Sequence, residues 1–446
     1  MLASVSCRCS PACCSLRTGV FSASATSLFL SLARPPGSSL KHRAVAAATA
    51  RRAFHSTPGR HSSDAPSSSS SSRLSYRVAV SSSGKGRRFH PLKNAYNFDP
   101  NAPDALGVLT LDKSPANRRR HRPDSGEDAF FVSRIGSRHS EQQRQEGADA
   151  IAFAVADGVG GWTESRVDPA DFSHGLCGYM AHTAMAWDEP AHKLRPKQLL
   201  QAGYDQVVAD PSIRAGGSTA SVGVGLPDGR VELANLGDSG SVLLRLAAVH
   251  HYSVPQTHGF NTPYQLSIIP PRMRAQASIF GGSFLEDFPR DAAVTNIQMQ
   301  HGDVLLLATD GVFDNLNNQD ILKLVTSRMV LTGAWTTTPE LGISVADNLC
   351  SLAAPGGLAA AFPPPSESAD PAIRPENTLT LQSLLAASIA GEAKMASVDY
   401  RRDGPFAKEA QRFYPGDHYR GGKVDDISVL VILAVDESLA PEEKDQ

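Results

Sequence analysis

Acidic residues beside apolar runs are the feature of this sequence that most constrains its fold and chemistry. Four short segments carry them, and three of the four lie at the edge of an apolar run that is typical of a β-strand. The segments are 126–128, 155–161, 308–314 and 423–428. Carboxylates gathered at strand ends repel one another, and a divalent metal ion is the usual remedy. The sequence therefore predicts an enzyme with a carboxylate-held metal centre.

The apolar runs predict strands mixed with a smaller number of helices. Strands are predicted at 129–133, 150–156, 219–226, 231–236, 241–246, Val304–Ala308 and 427–433. Helices are predicted at 169–187, with Asp168 as the N-cap, at 196–208 and at 319–330. Pro227, Asp228 and Gly229 predict the turn of a β-hairpin between two of the strands. Helices and antiparallel strands in one block favour an α+β, layered sandwich architecture.

An Asp followed by Gly at a strand end is the pattern that suggests how a metal is held. Asp157 can offer its carboxylate and Gly158 its backbone carbonyl to one ion. A single Asp-Gly pair is more often a simple turn, so the prediction depends on the ordered set of acidic segments. Oxygen-only ligands favour Mn²⁺ or Mg²⁺ over zinc. A pair of such ions, bridged by one Asp, can activate water for attack on a phosphate ester.

The first part of the chain has the composition of a targeting sequence. Residues 1–63 contain no Asp or Glu but several Arg and Lys residues among many Ser and Ala residues. This composition predicts a mitochondrial transit peptide over 1–54, because Arg51 and Arg52 precede Phe54 in a pattern like that of matrix-processing sites. Removal of this peptide takes seven basic and no acidic residues from a chain whose net charge is −2. The rest of the chain therefore has a more negative net charge, which argues against nucleic acid as a partner.

The remaining chain is predicted to form one domain with extensions. Residues 55–88 are interpreted as a Ser-rich disordered linker, 89–435 as the folded domain, 335–375 as a partly disordered insertion and 436–446 as an acidic tail. No transmembrane span is expected, because the apolar stretch at 20–33 is short and rich in Ser. Cys177 and Cys350 are the only cysteines outside the predicted transit peptide, which indicates a reducing compartment without a disulfide framework. A monomer is expected.

Six motifs in order resemble those of the metal-dependent, type 2C serine/threonine protein phosphatases. They are 127–129, 157–162, 217–220, 234–240, 308–315 and 421–428, and the resemblance spans 127–433. Residues 157–162 and 260–267 look like the mitochondrial branch of this family, which is associated with coenzyme Q biosynthesis. The resemblance implies a four-layer αββα sandwich of two antiparallel sheets flanked by helices. It also implies phosphoserine and phosphothreonine proteins as substrates and the mitochondrial matrix as the location.

The resemblance assigns a role to each acidic residue. Asp157 would bridge two Mn²⁺ or Mg²⁺ ions and is the central catalytic residue. Asp310 and Asp425 would complete the first ion, and Glu127 with the Gly158 carbonyl would hold the second. Asp238 and Asp314, together with Asp310, would bind a third, weaker ion. Asp128 would orient the water. Asp426 is expected to support these ligands without binding an ion.

Two positions depart from the family pattern and leave alternatives open. Val159 stands where the family often has His, and Pro123 stands where it often has a phosphate-binding Arg. Arg122 is the predicted substitute for that Arg. Arg119, Arg120 and His121 are alternatives, as is phosphate binding by the metals alone. A phosphatase-like scaffold that binds phosphoproteins without turnover, and a phosphatase of small metabolites, are the competing functions.

Overall fold

The computed structural model describes residues 73–108, 115–138, 149–165, 167–279, 284–339, 342–362, 379–416 and 418–439. These residues form seventeen strands and ten α-helices. The strands are β1 (Leu74–Ser83), β2 (Ala95–Asn97), β3 (Ala129–Arg134), β4 (Ile151–Ala156), β5 (Gly216–Ser218), β6 (Ala220–Gly225), β7 (Arg230–Leu236), β8 (Gly240–Arg245), β9 (Ala248–Tyr252), β10 (Thr257–Gly259), β11 (Thr262–Pro263), β12 (Leu266–Ile268), β13 (Ala293–Gln298), β14 (Val304–Ala308), β15 (Trp335–Thr338), β16 (Gly342–Val345) and β17 (Ile427–Asp436). The helices are α1 (Pro115–Arg120), α2 (Pro169–Met185), α3 (Pro196–Ala209), α4 (Pro271–Ile279), α5 (Asp310–Phe313), α6 (Asn318–Leu331), α7 (Leu349–Ala353), α8 (Gly357–Ala361), α9 (Leu381–Val398) and α10 (Pro405–Phe413).

Two larger antiparallel sheets organise the domain. One has six strands in the order β2-β1-β17-β14-β8-β9, and the other has five in the order β13-β7-β6-β4-β3. The long pairing of β1 with β17 joins the first described strand to the last, with Leu74 opposite Asp436 and Ser83 opposite Ile427. The beginning and the end of the domain are therefore held together at the middle of one sheet.

Alternate residues of the strands build the core between the sheets. Ile151, Phe153 and Val155 of β4 pack in one cluster with Leu430 and Ile432 of β17. The residues between them point to the opposite faces of their sheets, because successive side chains of a strand alternate. Both faces of these strands are buried, which explains why their sequences read as continuous apolar runs.

Helices cover the outer face of each sheet. Side chains of α2 and α3 pack in a cluster with the outward residues of β3, β4 and β6. Those of α6 and α9 pack with the outward residues of β14 and β17. The order of layers is therefore helix, sheet, sheet and helix, which confirms the predicted α+β, αββα sandwich.

The strands and helices predicted from the sequence are observed with small shifts at their ends. The strand Val304–Ala308 is observed with the bounds that were predicted. Helix α2 begins at Pro169 with the predicted N-cap, because the Asp168 carboxylate accepts the Ala170 N–H at 3.1 Å. The sequence analysis did not predict α9, although its buried face includes Leu385 and Ile389. Within the described part of the chain, no helix is long and apolar enough to cross a membrane.

Two predicted boundaries are wrong. The linker predicted over 55–88 contains β1, so the fold begins at least fifteen residues before the predicted start at 89. Asp436, the predicted first residue of the tail, belongs to β17 and is buried. The described part of the insertion predicted over 335–375 contains β15, β16, α7 and α8, and Trp335 is fully buried. The predicted transit peptide at 1–54 lies outside the described residues, as do 363–378 and 440–446.

Candidate metal centre

Strand register brings the acidic segments to one end of the sandwich. Ala129 at the start of β3 pairs with Ala156 at the end of β4, so the residues that flank them, Asp128 and Asp157, lie at the same edge. Ala308 at the end of β14 is likewise opposite both Gly240 and Val429. The turn before β8, the start of α5 and the segment before β17 therefore meet at the matching end of the other sheet.

Three carboxylates from three of these segments form a compact group. Asp157, Asp238 and Asp310 each offer an oxygen atom, and these atoms all lie within 4.8 Å of one another. The backbone carbonyl of Asp157 accepts hydrogen bonds from the Thr219 N–H at 3.0 Å and from the Ser218 hydroxyl at 2.8 Å. These bonds fix the chain at the position from which the Asp157 side chain projects.

A lysine ammonium neutralises the other side of this group. Lys423 Nζ lies 2.6 Å from Asp310 Oδ2, 2.6 Å from Asp314 Oδ2 and 3.2 Å from Asp425 Oδ2. We refer to Asp310, Asp314 and Asp425 as the lysine-paired carboxylates. Asp128, Asp157 and Asp238 are the unpaired carboxylates, since in the described ranges no Lys or Arg side chain forms an ion pair with them.

Buried polar contacts hold Asp128 behind the group. The Thr309 hydroxyl donates to Asp128 Oδ2 at 2.8 Å and accepts from the Ser428 N–H at 3.1 Å. Asp128 Oδ1 and Asp238 Oδ1 are buried, and neither has a hydrogen-bond partner among the described residues. Buried oxygen atoms without partners are costly, so both are open to a ligand that the protein does not itself supply.

Close backbone packing positions Glu127 and Gly158. The Gly158 N–H donates to the Glu127 carbonyl at 3.2 Å, and a Cβ on Gly158 would lie 2.7 Å from that same oxygen. The Asp426 carboxylate accepts the Glu127 N–H at 2.8 Å. It lies against Gly126, whose φ of +69° and lack of a side chain allow this approach. Asp426 thus fixes the backbone that carries Glu127.

The pKa values reflect the crowding of these acids. Burial, with the charge of Asp426 adding to it, raises the pKa of Glu127 to about 7. Burial and the charge of Asp310 raise the pKa of Asp238 to about 7, and the same two causes raise the pKa of Asp157 well above its usual value. These groups therefore resist ionisation until a cation is placed among them.

Lys423 affects the pKa values of its two closest carboxylates to different extents, since burial still raises the pKa of Asp314 well above its usual value. Burial would raise the pKa of Asp310, but the adjacent ammonium of Lys423 outweighs burial and holds this pKa below its usual value. Burial would likewise lower the pKa of Lys423, but the charges of Asp310, Asp314 and Asp425 outweigh it and raise this pKa well above the ordinary one. Both partners are therefore charged at neutral pH.

The donor set fits Mn²⁺ or Mg²⁺. The group Asp157, Asp238 and Asp310 offers only oxygen, and orphaned carboxylate oxygens at Asp128 and Asp238 lie beside it. Hard divalent cations prefer such oxygen ligands, whereas zinc sites use His and Cys. The group therefore offers only oxygen ligands, which suits a hard divalent cation.

The structure places Arg122 in an ion-pair network at the start of α2. Arg122 Nη2 lies 2.5 Å from Asp171 Oδ1, and Arg122 Nη1 lies 3.2 Å from Asp168 Oδ2. Arg119 binds the same Asp171 through two of its nitrogens. The predicted phosphate-binding group is thus already engaged with carboxylates of the domain, at the helix that packs against Gly158.

Lys423, Thr309 and Asn315 are site residues whose roles the sequence analysis missed. All three lie inside the six motifs, one or two residues from acidic residues that were assigned a role. A Lys two residues before the Asp425-Asp426 pair was the available signal, because a cation so close to a cluster of carboxylates is expected to join it.

The chain is similar in sequence to known proteins of one family. The family model described as "Protein phosphatase 2C" matches residues 138–341. The mitochondrial protein phosphatase 2C homolog 7 of Saccharomyces cerevisiae is 31% identical over 346 residues, which cover 76% of this chain and 81% of the yeast protein. The 5-azacytidine resistance protein azr1 of Schizosaccharomyces pombe is 30% identical over 320 residues, covering 72% of this chain and 85% of that protein. The solved structure of the photosystem II phosphatase PBCP aligns with a TM-score of 0.45 and 24% identity, over 73% of this chain and 96% of that one.

The family match and the yeast relative show that the chain is a metal-dependent serine/threonine protein phosphatase. The chain belongs to the protein phosphatase 2C family, which confirms the family predicted from its six motifs. Phosphoproteins are therefore its class of substrate.

Proposed function

We propose that this chain is a mitochondrial phosphatase that removes phosphate from phosphoserine and phosphothreonine residues of proteins, using Mn²⁺ or Mg²⁺. The observation that carries the proposal is the convergence of Asp157, Asp238 and Asp310 within 4.8 Å. The acid-free composition of residues 1–63 and the mitochondrial relative in yeast support the location. The matrix is the compartment that a cleaved transit peptide implies.

In the proposed centre, Asp157 lies between two ligand groups. Asp310 and Asp425 complete one group, and Glu127 with the Gly158 carbonyl completes the other. Ions held there would activate water and neutralise the charge of the phosphate. The chain's own contribution is to fix these ligands through the backbone bonds of Asp157 and the contact of Asp426 with the Glu127 N–H.

Asp128 has a separate part in the proposal. Its Oδ2 is held by Thr309, while its Oδ1 is buried and without a partner. We assign Oδ1 the orientation of the attacking water and acceptance of a proton from it. A carboxylate fixed on one oxygen keeps the other aimed in a constant direction.

Phosphate binding by Arg122 requires a rearrangement. Both of its terminal nitrogens are paired, with Asp168 and Asp171. Contact with substrate would require Arg122 to leave at least one of these carboxylates. We therefore assign charge neutralisation mainly to the metal centre and give Arg122 a supporting part.

The competing scaffold function has less support. A non-catalytic relative has no need for a complete set of metal-binding carboxylates, and here Glu127, Asp157, Asp310 and Asp425 are all at the same end of the sandwich. Val159 remains the residue that favours the scaffold, because it leaves no histidine for protonation of the leaving oxygen. Turnover in the presence of metal separates the two functions.

Phosphate release from a phosphothreonine peptide tests the proposal. We expect the full-length chain to release phosphate with Mn²⁺ or Mg²⁺ and not with EDTA, and Asp157→Asn to abolish release while the fold is retained. Asp228→Asn is the matched control, since Asp228-Gly229 is also an Asp-Gly pair but forms the β6–β7 turn, where Asp228 binds Arg230. Metal binding without release in the unmodified chain would favour the scaffold.

The identity of the substrate is a further part of the proposal. The resemblance to the mitochondrial branch points to proteins of coenzyme Q biosynthesis, and the charge of the chain gives no reason to expect nucleic acid. Phosphoproteomics of mitochondria that carry the active chain or Asp157→Asn would show which sites depend on it.

A further inference from the structure

The ammonium of Lys423 occupies the position between Asp310 and Asp314, which the sequence analysis assigned to a third, weaker metal ion. It lies 2.6 Å from an oxygen of each of these carboxylates. The side chain of Lys423 is only 16% exposed. The contact is therefore an internal ion pair and differs from an exposed salt bridge, which would contribute little.

The backbone of Lys423 is anchored to the same segment that carries the two carboxylates. The Lys423 N–H donates to Asn315 Oδ1 at 2.9 Å, and Asn315 Nδ2 donates to the Lys423 carbonyl at 2.8 Å. Asn315 Nδ2 also donates to the carbonyl of Gly311 in α5 at 2.9 Å. Asn315 thus fixes the chain of Lys423 beside Asp310 and Asp314.

Contacts along the side chain also favour this position. Lys423 Nζ lies 5.0 Å from the centre of the Phe406 ring, within the range of a cation–π interaction. Asp425 Oδ2 provides a third carboxylate contact at 3.2 Å. The ammonium is therefore surrounded by three carboxylates and one aromatic face, which is a built cation site.

A divalent ion cannot share this position with the ammonium. Mg²⁺ binds oxygen ligands at about 2.0–2.1 Å and needs several of them, whereas Lys423 already holds an oxygen of both Asp310 and Asp314. Among the described residues, no Lys or Arg side chain forms an ion pair with the unpaired carboxylates Asp157 and Asp238, although the charge of Lys423 lowers the pKa of Asp238 against the effect of burial. Binding of metal ions is therefore expected on the unpaired side and opposed on the side of Asp314.

We propose that Lys423 replaces the third metal ion, so that Asp314 binds the ammonium of Lys423 and is not a metal ligand in this protein. This inference rests on the proposed metal centre and specifies how many ions that centre takes. The positive charge that a weakly bound ion would supply is instead covalently attached to the chain.

Counting bound ions tests the inference without reference to activity. The EDTA-treated full-length chain is dialysed against MnCl₂ at several concentrations, and bound Mn²⁺ per chain is measured by elemental analysis and by titration calorimetry. We expect Lys423→Met to bind one more ion per chain than the unmodified protein, with low affinity. The double variant Lys423→Met, Asp314→Asn is expected to lose that added ion.

Two further variants keep the test decisive if Lys423→Met does not fold. Asp314→Asn alone is expected to bind as many ions as the unmodified chain, and Lys423→Arg, which keeps the charge, is expected to gain none. Lys85→Met is the matched control: Lys85 Nζ lies 3.4 Å from Asp425 but is 60% exposed and has no contact with Asp314. We expect no added ion in that variant.

The outcomes separate the inference from the proposed function. If Lys423→Met gains no ion, or if Asp314→Asn loses one, Lys423 does not replace a metal and the inference is wrong. In either case, Mn²⁺ binding that is lost in Asp157→Asn would still support the proposed function. No Mn²⁺ binding by the unmodified chain would overturn both.

Discussion

The two sides of the acidic cluster differ in whether a cation of the chain itself offsets the repulsion between their buried carboxylates. The lysine-paired carboxylates Asp310, Asp314 and Asp425 surround an internal ammonium. The unpaired carboxylates Asp128, Asp157 and Asp238 have raised pKa values and no cationic partner in the described part of the chain. The ammonium of Lys423 holds the pKa of Asp310 below its usual value, whereas burial keeps the pKa of Asp314 well above its usual value despite the same ammonium. The difference between the two sides is therefore the presence of an internal cation, and it does not extend to every pKa.

Substitutions at Asp310 and Asp314 give the strongest test of whether the two sides of the cluster differ in metal binding. Asp310 belongs to both sides, since it pairs with Lys423 and contributes to the group with Asp157. We expect Asp310→Asn to lower kcat/KM about a thousandfold, because a lost metal ligand removes several kcal/mol of charge stabilisation. Asp314→Asn is expected to cost less than about tenfold. The measurement is phosphate release at saturating MnCl₂, and equal losses in the two variants would show that Asp314 also binds metal.

Removal of metal is expected to act through the group that contains Asp157, Asp238 and Asp310. Mn²⁺ at one hundred times its dissociation constant should raise the free energy of unfolding of the EDTA-treated chain by about 2.7 kcal/mol for each ion bound, because only the folded state presents the site. Urea unfolding with and without MnCl₂ measures this difference. Asp157→Asn should show almost no increase, while Asp228→Asn should match the unmodified chain. A full increase in Asp157→Asn would mean that the stabilising ion is bound elsewhere.

Thr309 connects the two sides and gives the smallest expected effect. Its hydroxyl links Asp128 to Ser428 at the start of β17. Thr309→Val keeps the shape but leaves a buried carboxylate oxygen and a buried N–H without partners, so we expect a loss of about 2 kcal/mol in the free energy of unfolding. A decrease in kcat of about tenfold is also expected, since Asp128 loses the contact that orients it.

Thr309→Ser is the control for that prediction, because it retains the hydroxyl. Its urea unfolding midpoint and kcat should both stay close to those of the unmodified chain. If Thr309→Val were as stable and as active as Thr309→Ser, the hydroxyl bridge would have no part in holding Asp128.

Local patterns predicted most of the sandwich. Runs such as 150–156 and Val304–Ala308 are apolar throughout because both faces of their sheets are covered, and turn residues mark their ends. The N-cap at Asp168 and the hairpin turn at 227–229 are local signals as well, and both are present. β1 was missed because its second half is the polar run Ser81, Ser82 and Ser83, which lies between β2 and β17 in the sheet, and the long pairing is with β17, more than 340 residues later. No local pattern contains that contact.

By itself the sequence determined the family, the two-sheet architecture and the acidic residues of the centre, since motif order and strand periodicity are properties of the chain. Only the tertiary structure decided how the acids are divided between ligand and cation. The position of Lys423 Nζ depends on Asn315, Phe406 and three carboxylates from two distant segments. The pairing of Arg122 with Asp168 and Asp171 depends in the same way on where α2 packs. The strength of an ion pair depends on the distance between the charges and on their burial in the folded state. Neither quantity can be derived from the spacing of residues along the chain.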